Sequence, residues 1–193
     1  MYTQMPRFAI IGHKAVTTPD FSLNDMPGGA GRMDVLCRCI NTSFFLSHDL
    51  RRNVECYLIL RGGDEDITLR FSGDTIRSLN PDERSAGALI KKGLTTPAED
   101  QFKKAADGIV IRKGGLAKLL SEYPFAVLDE NGEDIRTTET LPENYILSDH
   151  MNFTEEEMEL LKDLPRYSVG PRVLHADHTI TVIQNELDRR QPQ

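Results

Sequence analysis

The chain has 193 residues, of which 39% are hydrophobic and 27% charged, and its formal net charge is −7. This length suits one domain with a substantial core, and no apolar run approaches the roughly 18–20 residues that a membrane-spanning helix needs. The acidic balance argues against a protein that coats nucleic acid generally, although an enzyme can still act on nucleic acid when its cations converge on one face. The three cysteines fit neither a disulfide framework nor a CxxC metal site, which predicts a reducing, cytoplasmic compartment.

The N-terminal part predicts a strand, a loop and a helix. Residues 7–12 (RFAIIG) form a short apolar run that is typical of a buried strand. The Gly-rich stretch 25–32 that follows lacks both the Gly-Lys-Ser/Thr ending of a P-loop and the GxGxxG pattern, so a plain turn is an open alternative. From Arg32 onward, MDVLCRCINTSFFLSHDLRR has the apolar spacing of a helix, and Arg38 lies four residues after Asp34, where such a pair supports helix formation.

The end of this predicted helix collects polar side chains that allow two interpretations. His48 can be an ordinary surface or capping histidine. Alternatively, His48 and Arg51 join Arg32 and Arg38 in a polar substrate pocket. Asp34 and Arg38 can also serve only to pair with each other on the helix.

The middle of the chain predicts further strands and helices, with a polar, peripheral stretch over 95–107. The alternating run 67–71 predicts a half-exposed antiparallel strand. Asn80 and Pro81 resemble an N-cap followed by Pro at the first helical position, and Gly93 is expected to end that helix. The remaining predicted elements are strands at 54–60 and 108–112, a helix at 116–123, and a strand at 125–128 that ends in an acidic turn, DENGED.

The last third predicts two strands with a helix between them. The run 145–147 ends in Ser148-Asp149-His150, a capping box at Thr154 begins the helix, and a second run, 166–169, ends in Gly170-Pro171. A final segment from about 177 is read as a helix, although its β-branched residues leave a strand open. Because ligands sit at the carboxyl ends of strands in open α/β sheets, we expect a small-molecule pocket near Leu128, Ser148 and Gly170.

Motifs for other chemistry are weak. His175 and His178 flank Asp177, but an HxxH pattern without the HExxH glutamate favours a helix-start cap over a metal ion. There is no GxSxG motif and no cysteine with an obvious histidine partner. The residues alone therefore indicate an α/β protein with a small-molecule pocket and no particular reaction.

Four blocks of the sequence resemble a known family. They are DMPGGAGRMDVLCRCINTSFFLSHDLRR, NPDERSAGALIKKGL, ILSDHMNFTEEEMELL and SVGPRVLHADHTITVIQNELD. Together they resemble the SPOUT-class RNA methyltransferases, and more narrowly the tRNA pseudouridine N1-methyltransferases of archaea and their bacterial relatives, the branch in which we expect this chain. The resemblance implies a single domain over 1–193, with a mostly parallel sheet flanked by helices and a C-terminal deep trefoil knot, an exception to the usual unthreaded connections.

The resemblance also implies where ligands bind. S-adenosylmethionine would lie in the knot, over about 125–190, and the protein would act as a homodimer on tRNA, with neither DNA nor membrane as a partner. Ser148 stands where archaeal relatives usually have Gly, and Thr179 where relatives often have Cys. The expected cofactor residues are Leu128, Ser148, Val169, Gly170, Pro171, Arg172, Val173, Leu174 and Thr179.

The N-terminal part is expected to face the substrate. Asp25, Arg32 and Asp34 are the candidate catalytic residues, with Asp25 or Asp34 taking part in proton removal, and Arg38, His48 and Arg51 are the candidate substrate contacts. The implied reaction is transfer of a methyl group to N1 of a pseudouridine in tRNA, in line with the sulfonium and with the base out of its stack. Two alternatives stay open: a cofactor- or RNA-binding protein that has lost catalysis, and a SPOUT enzyme with another RNA substrate.

Overall fold

The computed structural model describes residues 4–191. The strands are β1 (Arg7–Gly12), β2 (Glu55–Leu60), β3 (Ile67–Ser72), β4 (Lys103–Ala106), β5 (Ile109–Lys113), β6 (Ala126–Asp134), β7 (Asn144–Ser148) and β8 (Arg166–Ser168). The helices are α1 (Met33–Phe44), α2 (Glu83–Leu94), α3 (Leu116–Leu120), α4 (Glu155–Leu161) and α5 (Ala176–Arg190). Within the described range, no helix is both long and apolar enough to cross a bilayer.

All the strands belong to one sheet in the order β4-β5-β3-β2-β1-β7-β6-β8. The five strands from β2 to β8 run parallel, and β3, β5 and β4 extend the sheet in antiparallel fashion. The expected mostly parallel α/β sheet is confirmed. The predicted unit of two strands and a helix is also present, but β6 lies between β7 and β8, so the connection through α4 passes over one strand.

Helices cover both faces of the sheet. On one face, α1, α2 and α5 contribute Leu36, Ile90 and Ile183 to the larger apolar cluster. On the other face, Leu119 of α3 and Leu161 of α4 pack in a second cluster. Each such side chain, fully buried, stabilises the fold by about 1.5–3 kcal/mol. The carboxyl ends of the parallel strands are therefore held in fixed relation by a core on either side.

Helix α1 is shorter than the sequence indicated. The helical spacing was expected to continue through 52, but the backbone becomes extended at Phe45, whose N–H donates to the Asn41 carbonyl. Phe45 then pairs with Leu50 in an isolated antiparallel bridge. The apolar residues that extended the pattern therefore pack as a small loop rather than as helix.

Strand β3 was expected to be half-exposed, and this is wrong. It lies between β2 and β5, and both faces are covered, so that Thr68 is 0% exposed. The Thr68 hydroxyl is satisfied because it donates to the Gly114 carbonyl at 2.8 Å. A threonine in an alternating pattern can thus be buried when a backbone acceptor lies opposite it.

Some predicted boundaries also need correction. The N-cap of α2 is Asp82 rather than Asn80, and its carboxylate accepts the Ser85 N–H at 2.7 Å. Helix α2 continues past Gly93 to Leu94, helix α3 ends at Leu120, and the peripheral stretch 95–107 contains the edge strand β4. The final segment is helix, as favoured.

The acidic DENGED segment is part of β6 and not a turn. Pairing with β8 is irregular between Leu128 and Glu133, yet it resumes at Glu133 and Asp134. Gly132 allows this because a Cβ there would lie 2.6 Å from the Arg166 carbonyl carbon. Strand pairing overrides the turn preference of Asn131-Gly132.

Candidate active site

A pocket of about 340 Å³ opens where β7 and β8 end, beside the part of β6 after Leu128 in which the pairing with β8 is irregular. Its walls combine apolar side chains with polar groups, in the size range of small-molecule sites. The three expected segments converge, although β6 continues past the pocket to Asp134. Of the expected cofactor residues, all but Pro171 line the pocket: Leu128, Ser148, Val169, Gly170, Arg172, Val173, Leu174 and Thr179.

The turns at the strand ends fix the pocket wall. The Ser148 hydroxyl donates to the Met151 carbonyl, and the Ser168 hydroxyl donates to the Gly170 carbonyl at 2.9 Å. An added Cβ at Gly170 would meet nothing within 4 Å, and Val173 is 77% exposed. The wall at Ser148 is thus tied down, whereas the loop 169–174 stands open toward solvent.

A buried ionic network lies beside this pocket. His13, directly after β1, sits between two carboxylates: Nδ1 is 2.8 Å from Asp149 Oδ1, and Nε2 is 2.6 Å from Glu157 Oε1. The His13 backbone N–H also donates to Asp149 Oδ2 at 3.0 Å, and Arg61 Nη1 donates to Glu157 Oε2 at 2.6 Å. The side chains of His13, Asp149 and Glu157 are at most 5% exposed. Asp149 also lines the pocket, so the network connects the pocket to helix α4.

The protonation of this network follows from its contacts. Burial alone would lower the pKa of His13, but hydrogen bonds to Asp149 and Glu157 outweigh it and raise the pKa to about 9. Burial alone would raise the pKa of Glu157, but hydrogen bonds from His13, the Thr154 backbone and Arg61 lower it to about 2. At neutral pH an imidazolium therefore lies between two carboxylates, and both ring nitrogens donate.

Sequence reasoning missed this network, although each member carried a signal. His13 and Asp149 each follow the last residue of a predicted strand, and Glu157 completes the capping box with Thr154. Arg61 likewise follows β2. Parallel strand ends meet at one edge, so polar residues at these positions were candidates for contact.

The Gly-rich loop 25–32 lies next to β1 at the same edge. Gly31 has a φ of 68°, and a Cβ there would lie 1.7 Å from the Lys14 carbonyl oxygen. The Val16 N–H donates to the Ala30 carbonyl at 3.3 Å. These contacts pin the loop against the residues that follow His13. The predicted substrate-facing loop and the pocket are therefore neighbours.

Arg32 and Asp34 form the polar centre of this loop. Arg32 donates from Nε and Nη2 to the two Asp34 oxygens at 3.0 and 3.1 Å. The hydrogen bond to Asp34 raises the pKa of Arg32, with a smaller attraction from Asp149. Burial opposes ionisation of Asp34, but hydrogen bonds from Arg32 and Arg38 hold its pKa below the ordinary value. Asp34 is therefore ionised at neutral pH and paired with Arg32, and its part in proton removal stays a prediction.

Asp25 and Arg38 are both engaged within the protein. Asp25 accepts the N–H groups of Gly28 and Gly29 at 3.2 and 3.0 Å, which shapes the loop. Arg38 is bonded to Asp34 at 3.2 Å and to Glu83 at 2.9 Å. The pairing of Asp34 with Arg38, one of the open alternatives, is present. The substrate and catalytic roles of these residues stay predictions.

His48 and Arg51 do not join Arg32 and Arg38 in one pocket. They follow the C-terminal end of α1, whose length of about 18 Å separates them from Arg32. Arg51 donates to both Asp188 oxygens, at 2.8 and 2.7 Å, and His48 lies exposed in the loop before Leu50. Arg38 lies midway along α1, so the expected group of four is spread along this helix and past its C-terminal end rather than gathered in one pocket.

The two histidines at the start of α5, His175 and His178, have contacts within the protein. His175 is the N-cap residue of α5, and His178 lies 3.7 Å from the Asp177 carboxylate. Within residues 4–191, no group of three or more histidine, cysteine, aspartate or glutamate side chains is arranged to hold a metal ion.

Residues 5–192 match the model of a family described as "Putative SAM-dependent RNA methyltransferase". The chain belongs to this family. Relatives from archaea are similar over nearly their whole lengths. The tRNA (pseudouridine(54)-N(1))-methyltransferase of Methanocorpusculum labreanum is 78% identical over 191 residues, covering 96% of this chain and 98% of the relative. The enzyme of the same name from Methanospirillum hungatei is 49% identical over 189 residues, covering 96% and 97%. The family assignment is confirmed, and these relatives place the chain beside archaeal members rather than in a bacterial branch.

A solved structure supports the fold assignment. Archaeoglobus fulgidus Nep1 bound to S-adenosylhomocysteine aligns with a TM-score of 0.67, covering 96% of this chain and 98% of Nep1. Only 14% of the residues are identical, so this family member shares with Nep1 the fold and little of the sequence.

Proposed function

We propose that the protein transfers a methyl group from S-adenosylmethionine to N1 of pseudouridine 54 in tRNA. The supporting observation is a pocket formed by the parallel strands β6, β7 and β8, in a chain 78% identical to a relative named for this reaction. The departures Ser148 and Thr179 do not close that pocket, since both line it. The position of the modified nucleotide comes from the names of the relatives.

The pocket residues fit this cofactor chemically. Leu128, Leu147 and Val169 offer apolar surface for a purine ring, and the backbone groups at the strand ends offer hydrogen bonds. Asp149 and Asp129 bring carboxylates to the wall where a sulfonium or ammonium would lie, although Asp149 already pairs with His13 and Asp129 with Arg166, each at 2.8 Å. Ser148 leaves room because its hydroxyl is directed to the Met151 carbonyl.

The reaction exchanges one proton for one methyl group. When bound, S-adenosylmethionine supplies a methyl group on positive sulfur, whose C–S bond breaks as the bond to N1 forms. The N1 proton passes to a base, for which Asp25 and Asp34 are the proposed candidates, and the ring carbonyls carry the electron density left on the ring. Arg32 is held by Asp34 in the loop beside the residues that follow His13, and we propose that its guanidinium stabilises that density. Proton removal by Asp25 stays a proposal, since its oxygens already accept two backbone N–H groups.

The finer architecture is also a proposal. We propose a single methyltransferase domain over 1–193 whose segment 125–190 forms a deep trefoil knot around the cofactor. Helix α5 supports this, because it begins at the pocket wall and packs back against α1. We propose a homodimer as well, since Val173 and Leu174 expose apolar surface beside the pocket. The three cysteines are free thiols, which fits a reducing cytoplasm.

Methylation of defined tRNA substrates tests the proposed function. Purified protein and S-adenosylmethionine are incubated with tRNA that carries pseudouridine at 54, and nucleosides are analysed by mass spectrometry. We expect N1-methylpseudouridine from this tRNA and none from the same transcript with uridine at 54, because N1 of uridine is bonded to ribose. Cofactor binding without product would support a lapsed enzyme instead, and product from other RNA would support another substrate.

A further inference from the structure

A second cleft, of about 740 Å³, lies at the antiparallel side of the sheet. Its walls come from the end of β3, the loop that follows, strand β4 and the start of β5. We call it the basic cleft. Its charged residues are Arg52, Arg70, Arg77 and Lys104, with Asp74 and Asp107.

The basic cleft is far from the cofactor pocket. Ser72 is paired with Glu55 at the amino end of β2, whereas Ser148 of the pocket is level with Ile11 near the carboxyl end of β1. The offset along the strands and the three strand spacings between β3 and β7 together put Ser72 about 20 Å from Ser148. The cleft therefore cannot contact the reacting nucleotide itself.

Cations exceed carboxylates in the basic cleft, although the whole chain carries a net charge of −7. Lys104 pairs with Asp107 at 2.9 Å. Among residues 4–191, no carboxylate forms an ion pair with Arg52, Arg70 or Arg77. The hydrogen bond from Lys104 lowers the pKa of Asp107, and Arg77 adds to this effect, as expected for a locally positive field.

The arginines are held by the protein and keep capacity for a ligand. Arg52 Nη1 donates to the carbonyls of Gly73 and Ile76 at 3.1 and 3.4 Å. The guanidinium of Arg70 lies 4.9 Å from the centre of the Phe102 ring, and within the described residues its buried Nε has no hydrogen-bond acceptor. Guanidinium groups held in this way match the planar, bidentate geometry of phosphate.

The loop that carries Arg77 is also rigid. A Cβ at Gly73 would lie 2.1 Å from the Arg51 carbonyl oxygen, and one at Gly108 would lie 2.4 Å from the Ile76 Cα. Gly108 has a φ of 76°, which favours glycine. The Ile76 N–H donates to the Ser72 carbonyl at 2.9 Å. The cleft is therefore organised before a ligand binds, which reduces the entropic cost of binding.

We propose that the basic cleft binds backbone phosphates of the tRNA, at a distance from the methylated nucleotide. This inference rests on the proposed function, because it names how the same substrate is held. A span of about 20 Å along a nucleic acid holds several phosphates, so one RNA can occupy both sites. Several cations along an open cleft suit a polyanion better than a single small anion.

The test compares two RNA substrates. We measure binding and methylation of full-length tRNA and of a short stem-loop, both with pseudouridine at 54. The proteins are the wild type, Arg77→Gln and the double variant Arg52→Gln/Arg77→Gln. For the double variant we expect Kd for full-length tRNA to rise about tenfold, and the slope of log Kd against log salt to flatten by about two. Affinity for the stem-loop and for S-adenosylmethionine should not change.

Matched controls keep this test decisive. Arg136→Gln removes the same charge at an exposed position outside the cleft and should behave as wild type. Arg77 is exposed, so the single variant tests the cleft even if loss of the Arg52 contacts to carbonyls impairs folding. Titration with inorganic phosphate tests whether the cleft is only a small-anion site. If Arg77→Gln abolished the heat of phosphate binding but left the tRNA affinity unchanged, the proposal would be overturned.

Other outcomes separate the inference from the proposed function. An unchanged tRNA affinity and salt slope in the double variant would show that the cleft does not hold tRNA. An equal loss on the stem-loop would also contradict the inference, because the contact would then lie near the target nucleotide. If the wild type methylated neither RNA, the proposed function would fail, while filter binding of tRNA would still test the cleft.

Discussion

The two halves of the candidate active site are built differently. The cofactor half, at the ends of β7 and β8 and beside β6, is made of turns whose backbone and short side chains form a wall. The acceptor half, the Gly-rich loop 25–32 with the start of α1, carries Arg32 and Asp34, which are paired with each other. Strand ends position the first half, whereas close packing at Gly31 and local ion pairs position the second. Substitutions should therefore affect the two halves through separable measurements.

The largest expected effect comes from Asp149→Ala. It leaves the His13 imidazolium buried beside Glu157 without its second carboxylate and removes the acceptor of the Met151 N–H. Breaking such a buried pair costs about 3–5 kcal/mol, and affinity for S-adenosylmethionine should fall with it. Urea unfolding and calorimetric titration measure the two effects. Glu139→Ala, at an exposed position outside the pocket, is the control and should change neither.

Gly31→Ala should destabilise the acceptor half. The new Cβ would overlap the Lys14 carbonyl oxygen at 1.7 Å, and the φ of 68° is unfavourable for alanine. We expect a loss of about 2–3 kcal/mol in unfolding free energy and loss of methyl transfer. Gly170→Ala, where a Cβ meets nothing within 4 Å, should keep wild-type stability. Equal stability of both variants would show that the loop is not pinned by this contact.

Arg32→Gln should separate chemistry from cofactor binding. Removing one charged donor to the developing negative charge typically costs about 100-fold in rate. We expect kcat for tRNA to fall by about this factor, while Kd for S-adenosylmethionine stays unchanged. Arg38→Gln should have a smaller effect, because Arg38 contacts Asp34 and Glu83. A parallel loss of cofactor affinity in Arg32→Gln would break the distinction between the halves.

Stability should depend on pH through His13 and Glu157. The folded pKa of His13, about 9, lies above its ordinary 6.5, so its contribution is complete below pH 6.5 and is lost as pH rises through 9. The folded pKa of Glu157, about 2, lies below its ordinary 4.5, so its contribution is complete above pH 4.5 and is lost toward pH 2. Both therefore act fully between pH 4.5 and 6.5.

The thermal midpoint measured across pH checks this expectation. The charged neighbours of His13 are Asp149 and Glu157, with Arg61 on Glu157 and His150 on the second oxygen of Asp149. The wild type should lose stability between pH 6.5 and 9, and His13→Gln should show a flatter profile over that window. An identical slope in both proteins would exclude His13 as its source.

The smallest effect is expected for Arg51→Gln. Arg51 pairs with Asp188, whose side chain is 46% exposed, and such surface pairs contribute about 0.2–1 kcal/mol. We expect this small change in stability and little change in methyl transfer. A double-mutant cycle with Asp188→Asn measures the pair. A large loss of activity without loss of stability would instead support Arg51 as a substrate contact.

The cofactor half could be predicted because it depends on strand ends. The runs 7–12, 145–147 and 166–169 were readable from apolar patterning, and their carboxyl ends had to meet at one edge. The acceptor half was less accessible, since helical spacing continued past Phe44 while the backbone turned. Arg32, Arg38, His48 and Arg51 were therefore expected in one pocket, whereas α1 lies between Arg32 and the last two.

The individual members of the ionic network carried sequence signals, but their pairing could not be predicted, for a different reason. His13 contacts Asp149 and Glu157 across 136 and 144 residues, and no local pattern carries such a pairing. The predicted turn at DENGED was wrong for a similar reason, because pairing of Glu133 with Tyr167 overrides the turn preference of Asn131-Gly132. Local preferences decided most elements, and long-range contacts decided these exceptions.

Helix α5 connects two parts of the molecule. Thr179, on its first turn, lines the pocket, Gln184 donates to the Ser43 carbonyl at 2.9 Å, and Asp188 holds Arg51. One continuous helix therefore joins the pocket wall at Thr179 to the C-terminal end of α1.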